Sequence, residues 1–214
     1  MKRMKELEEG LASLGIAATS EQIHGLAAYL EELIFWNRKF NLVKSDDEGL
    51  IGRHILDALA PLELIRKNIQ PSCRLADVGS GAGLPGLPLA IFLDTVRLYL
   101  IERSGKRAGF LRSAVVTAGL HDRSEVLHAD VRGCGVEVDS IVMRAFRPLP
   151  EALPLILPLL APGSTIFAYH GRLDTITEEL TDPLVKEFDW EILPLTRGSG
   201  SEERHLLVGH HRLA

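Results

Sequence analysis

The residues best suited to chemistry lie near the middle of the chain. Asp77-Val78-Gly79-Ser80-Gly81-Ala82-Gly83 follows a short run, Arg74-Leu75-Ala76, and precedes the apolar segment Leu87 to Leu93. Glycines at alternate positions let a backbone turn sharply and approach a bound nucleoside, and the helix start beyond them offers free amide donors. Glu102 closes the run Leu98-Tyr99-Leu100-Ile101, where a carboxylate can accept both ribose hydroxyls; otherwise it is a surface acid beside Arg103. Ala129-Asp130 ends a third such run and is placed either to meet an adenine edge or to cap a helix. Arg144 ends Ile141-Val142-Met143 and either faces a ligand cleft or pairs with an acid.

Two ligand classes suit this constellation. Gly81, Gly83 and Gly86 satisfy the G-x-G-x-x-G dinucleotide pattern, with Glu102 near the position of its ribose-binding acid. Asp77, two residues before Gly79, instead completes D-x-G-x-G-x-G, which resembles the first motif of S-adenosylmethionine-dependent methyltransferases. Some seventy residues also precede the strand, whereas a dehydrogenase often opens with it. The methyltransferase reading is therefore preferred, with Asp77, Gly79, Gly81, Gly83, Glu102, Ala129, Asp130 and Arg144 as the cofactor set.

Alternating elements must position these residues. Ile23, Leu26, Ala27, Leu30, Leu33 and Ile34 recur at helical spacing between Thr19 and Lys39, with Thr19 and Gln22 in capping-box register. A second helix is predicted after Ser45, paired with Glu48, and runs toward Ile65. Strands are expected at 74–78, 96–102, 124–129, 140–144 and 164–169, with helices at about 105–118 and 150–160. Such alternation implies a parallel sheet with ligands beyond the strands' carboxyl ends. Trp190 to Leu193 and Arg204 to Val208, joined by Gly198-Ser199-Gly200-Ser201, read as a hairpin. A closing antiparallel hairpin on a parallel sheet is a known feature of class I methyltransferases. The expected fold is their Rossmann-like, mostly parallel seven-stranded sheet. A helical segment, 1–70, is expected to pack on a methyltransferase domain, 71–214. Prolines 150, 154, 158 and 162 predict a kinked or broken helix, since an interior proline costs about 3 kcal/mol.

Composition narrows the function. The net charge of −5 argues against a protein that coats RNA, because such binding is mostly phosphate neutralisation. An RNA enzyme needs only a local basic surface, for which Arg103, Lys106, Arg107, Arg112, Arg132, Arg144, Arg147 and Arg172 are candidates. Of these, Arg103, Lys106, Arg107, Arg147 and Arg172 are singled out for RNA. The N-terminus lacks an apolar h-region and no run approaches the roughly 20 apolar residues of a membrane span, so a cytoplasmic location is expected. Cys73 and Cys134 have no metal-knuckle spacing, and His205, His210 and His211 have no third convergent ligand, so no metal is assigned.

Absences also bear on the type of methylation. No Asn/Asp-Pro-Pro-aromatic motif for exocyclic amines follows the fourth strand, which continues as Arg144-Ala145-Phe146-Arg147-Pro148. Neither cysteine has the Pro-Cys context of a cytosine C5 nucleophile. Guanine N7 carries an in-plane lone pair and no proton, so its methylation needs no general base. Alignment alone can supply roughly 7–11 kcal/mol.

Trp36-Asn37-Arg38-Lys39-Phe40-Asn41-Leu42-Val43, Arg53-His54-Ile55-Leu56-Asp57-Ala58-Leu59, the stretch Asp77 to Ala90, Ser104 to Arg112, and Arg144-Ala145-Phe146 together resemble one family. It is that of the bacterial 16S ribosomal RNA guanine-N7 methyltransferases, also called glucose-inhibited division protein B, and the likeness covers nearly the whole chain. The resemblance implies S-adenosylmethionine as cofactor and a guanosine in the 530 loop of 16S rRNA as target, in naked RNA or in the 30S subunit. It also implies cofactor contacts at Gly79, Leu84, Glu102, Ala129, Asp130 and Arg144, with Arg144 orienting the reactants or stabilising charge, and a monomer is expected. Arg53, His54 and Asp57 are similar to a family signature, and for Asp57 a structural lock is the preferred role. Two departures stand out: Arg103 is inserted between Glu102 and Ser104, and His170-Gly171-Arg172 replaces a Lys-Gly pair. The alternatives are a small-molecule methyltransferase on the same fold and a non-catalytic nucleotide-binding module.

Overall fold

The computed structural model describes residues 2–47, 49–195 and 203–211. It opens with helices α1 (Lys2–Ser13) and α2 (Ser20–Phe40), a π-helical turn (Ile51–Leu56) that runs into α3 (Asp57–Leu59), and α4 (Leu62–Asn68). The predicted capping box starts α2: Gln22 N donates to Thr19 Oγ1 at 3.2 Å, and Thr19 N donates to Gln22 Oε1 at 2.9 Å. At the next helix Glu48 lies outside the described residues, and the amide of Gly49 donates to Asp46 Oδ1 at 2.9 Å rather than to Ser45. An ionised carboxylate is a stronger acceptor than a hydroxyl, so Asp46 takes the cap. That helix is not continuous to Ile65: it breaks at Ala60-Pro61, where proline removes a backbone donor.

The remainder alternates as expected. The order is β1 (Arg74–Val78), α5 (Gly86–Phe92), β2 (Arg97–Ile101), α6 (Gly105–Thr117), β3 (Ser124–Leu127), β4 (Val138–Arg144), α7 (Leu149–Ile156), β5 (Leu160–His170), α8 (Leu173–Glu179), β6 (Phe188–Pro194) and β7 (His205–His211). Pro154 lies inside α7, which stops at Ile156 and tightens into a 3₁₀ turn, the break that the proline spacing predicts. The seven strands form one sheet in the order β3-β2-β1-β4-β5-β7-β6. The first five are parallel, and β7 runs antiparallel to both β5 and β6. The Gly198 to Ser201 connector falls outside the described residues.

Each face of the sheet buries its own apolar cluster. Leu75 of β1 packs with Leu26, Leu30 and Leu33 of α2 and with Leu87, Phe110 and Leu111 of α5 and α6. Ala76 and Val78, one residue out of phase, pack with Ile141, Met143, Leu149 and Leu153 on the other face. The N-terminal helices thus share a core with one side of the sheet, and Trp36 meets Phe110 edge to face at 5.9 Å. Asp77 has the parity of Leu75, which aims a carboxylate into the α2 and α5 side. Strand order reverses between β1 and β4, the topological switch point at which this architecture opens a crevice. No helix among the described residues is long and apolar enough to cross a membrane.

Candidate active site

The crevice is built on the glycine turn after β1. Gly79, Gly81 and Gly83 have φ of 71°, 57° and 77°, a conformation that costs other L-residues about 1–2 kcal/mol. The amides of Gly79 and Ser80 donate to Ile101 O at 3.0 and 3.1 Å, tying the turn to the end of β2. Ser80 Oγ donates back to Asp77 O at 2.7 Å.

Three side chains fix the turn from outside. Glu102, only 4% exposed, accepts from Gly81 N at 2.9 Å with Oε2 and from Ser104 N at 2.7 Å with Oε1. Asp77 Oδ2 accepts from Gly86 N at 2.8 Å, which anchors the start of α5. Tyr29, from the middle of α2, donates its hydroxyl to Ala82 O at 2.7 Å. Its helical spacing marks Tyr29 only as a core position; no local signal announces a contact 53 residues away. Burial pushes the Asp77 carboxyl up to about 7, against the Gly86 hydrogen bond and the charge of Arg144, which pull it down. Its Oδ1 is buried with no hydrogen-bond partner among the described residues.

Two cavities open beside the turn. The first, about 620 Å³, is lined by Gly79, Glu102, Ala129 and Asp130 together with Arg103 and Arg107. Its size lies within the range of small-molecule sites. Asp77, Gly81, Gly83 and Leu84 do not line it; they shape the turn from behind, and Leu84 is buried. Asp130 caps the 3₁₀ turn Val131–Gly133, accepting from Arg132 N at 3.1 Å and from its Nε at 2.9 Å. The hydrogen bonds from Arg132 hold its carboxyl below the usual range. Arg103, the inserted residue, sits exposed on the rim, and the insertion leaves the Ser104 amide on Glu102.

The second cavity, about 680 Å³, contains Arg144. Arg144 lines this cavity and not the first, and it is at the same time held by an acid. Its Nη1 donates to Asp57 Oδ2 at 3.1 Å and to His54 O at 3.5 Å, while Arg204 Nε approaches Asp57 Oδ1 at 3.7 Å. Asp57 is 6% exposed, so the acid expected to lock the helical segment binds it to the ends of β4 and the hairpin. Tyr169 adds a second tie, donating to Ala58 O at 2.7 Å. Arg53 and His54 line this cavity too.

Residues 145–148 border both cavities. Ala145 is left-handed at φ 52°, which type alone could not reveal, and Phe146 lies over Gly79 so closely that a Cβ there would stand 2.6 Å from its Cδ2. Backbone held in such a sparsely populated region clusters at ligand sites. Arg147 borders both cavities and pairs with Glu151 at 3.0 Å. Of the other basic candidates, Lys106 reaches over Phe40, 5.9 Å from its ring. Arg172 is turned to Asp174 at 3.0 Å and lines neither cavity. Among the described residues no three His, Cys, Asp or Glu side chains converge as metal ligands.

A doubly wound sheet with this strand order, and a glycine turn closing a nucleoside-sized cavity at its switch point, defines a class I S-adenosylmethionine-dependent methyltransferase. Solved structures share the fold. Magnesium protoporphyrin IX methyltransferase from Synechocystis, crystallised with bound S-adenosylmethionine, superposes with a TM-score of 0.60 over 92% of this chain and 99% of that one, at 14% identity. A tRNA (m1A58) methyltransferase from Aquifex aeolicus gives 0.58 over 73% and 69%, at 11% identity. Residues 22–199 match the family described as rRNA small subunit methyltransferase G (GidB), and the chain belongs to that family. The ribosomal RNA small subunit methyltransferase G of Borrelia turicatae is 37% identical over 96% of this chain and 99% of its own length. That of Halorhodospira halophila is 37% identical over 92% of each.

Proposed function

We propose that the chain transfers a methyl group from S-adenosylmethionine to N7 of a guanosine in the 530 loop of 16S rRNA, acting as a cytoplasmic monomer. The observation that carries this reading is the pair of cavities meeting at residues 145–148: one is nucleoside-sized and bounded by the glycine turn, the other is rich in arginine. When bound, S-adenosylmethionine supplies an electrophilic methyl group on a sulfonium. The residues present fit it. Gly79 brings bare backbone to the cavity wall, and Glu102 retains a second lone pair on each oxygen for ribose hydroxyls. The Ala129 backbone and Asp130 flank the adenine end, and Asp77 contributes by fastening the start of α5 behind the turn.

The target nitrogen carries no proton, so the protein's work is to bind and align. Arg144, clamped by Asp57, presents a fixed positive charge in the second cavity, where it orients the target nucleotide. Arg103, Lys106, Arg107 and Arg147 form the basic rim for the phosphates, and Arg172 extends it past β5. The chain works as two parts on this reading, a helical platform (1–70) and a methyltransferase domain (71–214). Incubation with radiolabelled S-adenosylmethionine and 30S subunits lacking the modification tests the reading. Label is expected in 16S rRNA at one guanosine, with strand scission there after borohydride and aniline. Cofactor binding without transfer, or label that resists scission, overturns it.

A further inference from the structure

The second cavity is basic, with Lys44, Arg53, Arg144, Arg147 and Arg204 on its walls, yet two carboxylates line it. Asp57 is taken up by Arg144 and Arg204. Glu179, at the end of α8, is not matched to any of the five cations. Its Oε2 accepts from Leu149 N at 2.8 Å, with His170 Nε2 3.8 Å away. Its Oε1 accepts no hydrogen bond from any described residue, although the side chain is only 10% exposed. An oxygen on the cavity wall with no protein donor is available to a donor on a ligand.

We propose that Glu179 reads the Watson–Crick edge of the target base and makes this cavity selective for guanine; the inference rests on the reading that the substrate is a guanosine. An ionised carboxylate only accepts. Guanine presents two adjacent donors, N1–H and N2–H. Adenine and cytosine each set an amino donor beside a ring-nitrogen acceptor, and uracil flanks its one donor with two carbonyls. Guanine alone meets two carboxylate oxygens without placing an acceptor against them. Oε1 is available for one donor, and Oε2 keeps a lone pair beyond the one that Leu149 uses. N7 lies on the opposite edge of the purine, so this readout leaves the reactive nitrogen unengaged. Leu149 directly follows Pro148, so the reading group is fastened to the backbone segment that divides the two cavities.

The test uses the full chain, 30S subunits reconstituted with guanosine or inosine at the target, and Glu179→Gln. Inosine keeps N7 and N1–H but lacks the 2-amino group. Glutamine keeps an oxygen for Leu149 N and replaces the other acceptor with a donor. The wild type is expected to favour guanosine over inosine by about 10–100-fold in kcat/KM, the worth of a hydrogen bond to a charged group. Glu179→Gln should lose most of the guanosine rate and treat the two substrates alike, while its calorimetric affinity for S-adenosylmethionine is unchanged. A variant that is slower but keeps the wild-type preference for guanosine overturns the assignment, as does a wild type indifferent to the 2-amino group. A wild type that methylates neither substrate overturns the functional reading itself.

Discussion

Replacing Gly79 with alanine separates two reasons for the glycine: backbone conformation and close approach. At φ 71° an alanine pays about 1–2 kcal/mol for the left-handed backbone. Its Cβ would also stand 2.6 Å from Phe146 Cδ2, and forcing a ring from a packed position costs roughly 1–3 kcal/mol more. Gly81 is the internal control, because at φ 57° its Cβ meets nothing nearer than 3.6 Å and only the backbone penalty applies. A chain of this size loses about 2–4 °C of Tm per kcal/mol, so Gly81→Ala is expected to melt about 2–8 °C below the wild type and Gly79→Ala several degrees lower still. Adding Phe146→Ala should be less costly in the Gly79→Ala background than in the wild type, a coupling of about 1 kcal/mol or more in a double-mutant cycle. Differential scanning calorimetry at fixed pH reads the wild type and the four variants. Equal losses for the two glycine variants, or additive effects in the cycle, would refute the contact between Gly79 and Phe146 as the reason for that glycine.

Other parts of the site make separate predictions. Burial raises the Asp77 pKa to about 7, so the native state binds this proton more tightly than the unfolded chain. The associated stability is fully present below about pH 4 and is lost as pH rises through about 7, so Asp77→Asn should compare increasingly well with the wild type across that window; a difference in Tm that does not change with pH contradicts it. Asp57→Ala strands the Arg144 guanidinium, 18% exposed, and should cost about 3 kcal/mol in urea unfolding, whereas truncating Glu151 beside exposed Arg147 should cost under about 1 kcal/mol. Similar losses at both sites would show that the Asp57 pair is no more consequential than a surface one. Arg103→Ala and Arg107→Ala should each reduce the salt dependence of RNA binding by about one unit of slope while sparing calorimetric affinity for the methyl donor. A variant that loses donor affinity instead would place that arginine in the donor site.

Local chemistry made much of this protein legible before folding. Helical spacing located α2, and short apolar runs alternating with helical segments located the strands, because strands of a parallel sheet are buried on both faces. The glycine turn, with Asp77 ahead of it and Glu102 after the next strand, was legible because the backbone there requires residues without a Cβ, and because parallel strands bring their carboxyl ends together. Helix starts were less secure: Asp46 displaced Ser45 because adjacent acceptors compete for one amide. The partners of side chains were decided only by the tertiary structure. Asp57 and Arg144 are 87 residues apart, Tyr29 and Ala82 are 53, and Leu149 and Glu179 are 30. Asp130 capped its own turn instead of standing free, a choice set by a neighbour, Arg132, that spacing alone does not rank above a ligand. The left-handed Ala145 that divides the two cavities has no mark in its residue type, because alanine is not among the residues enriched in that region. Residue types thus determined which chemistry the chain could perform, while contacts between distant segments determined which atoms are left to perform it.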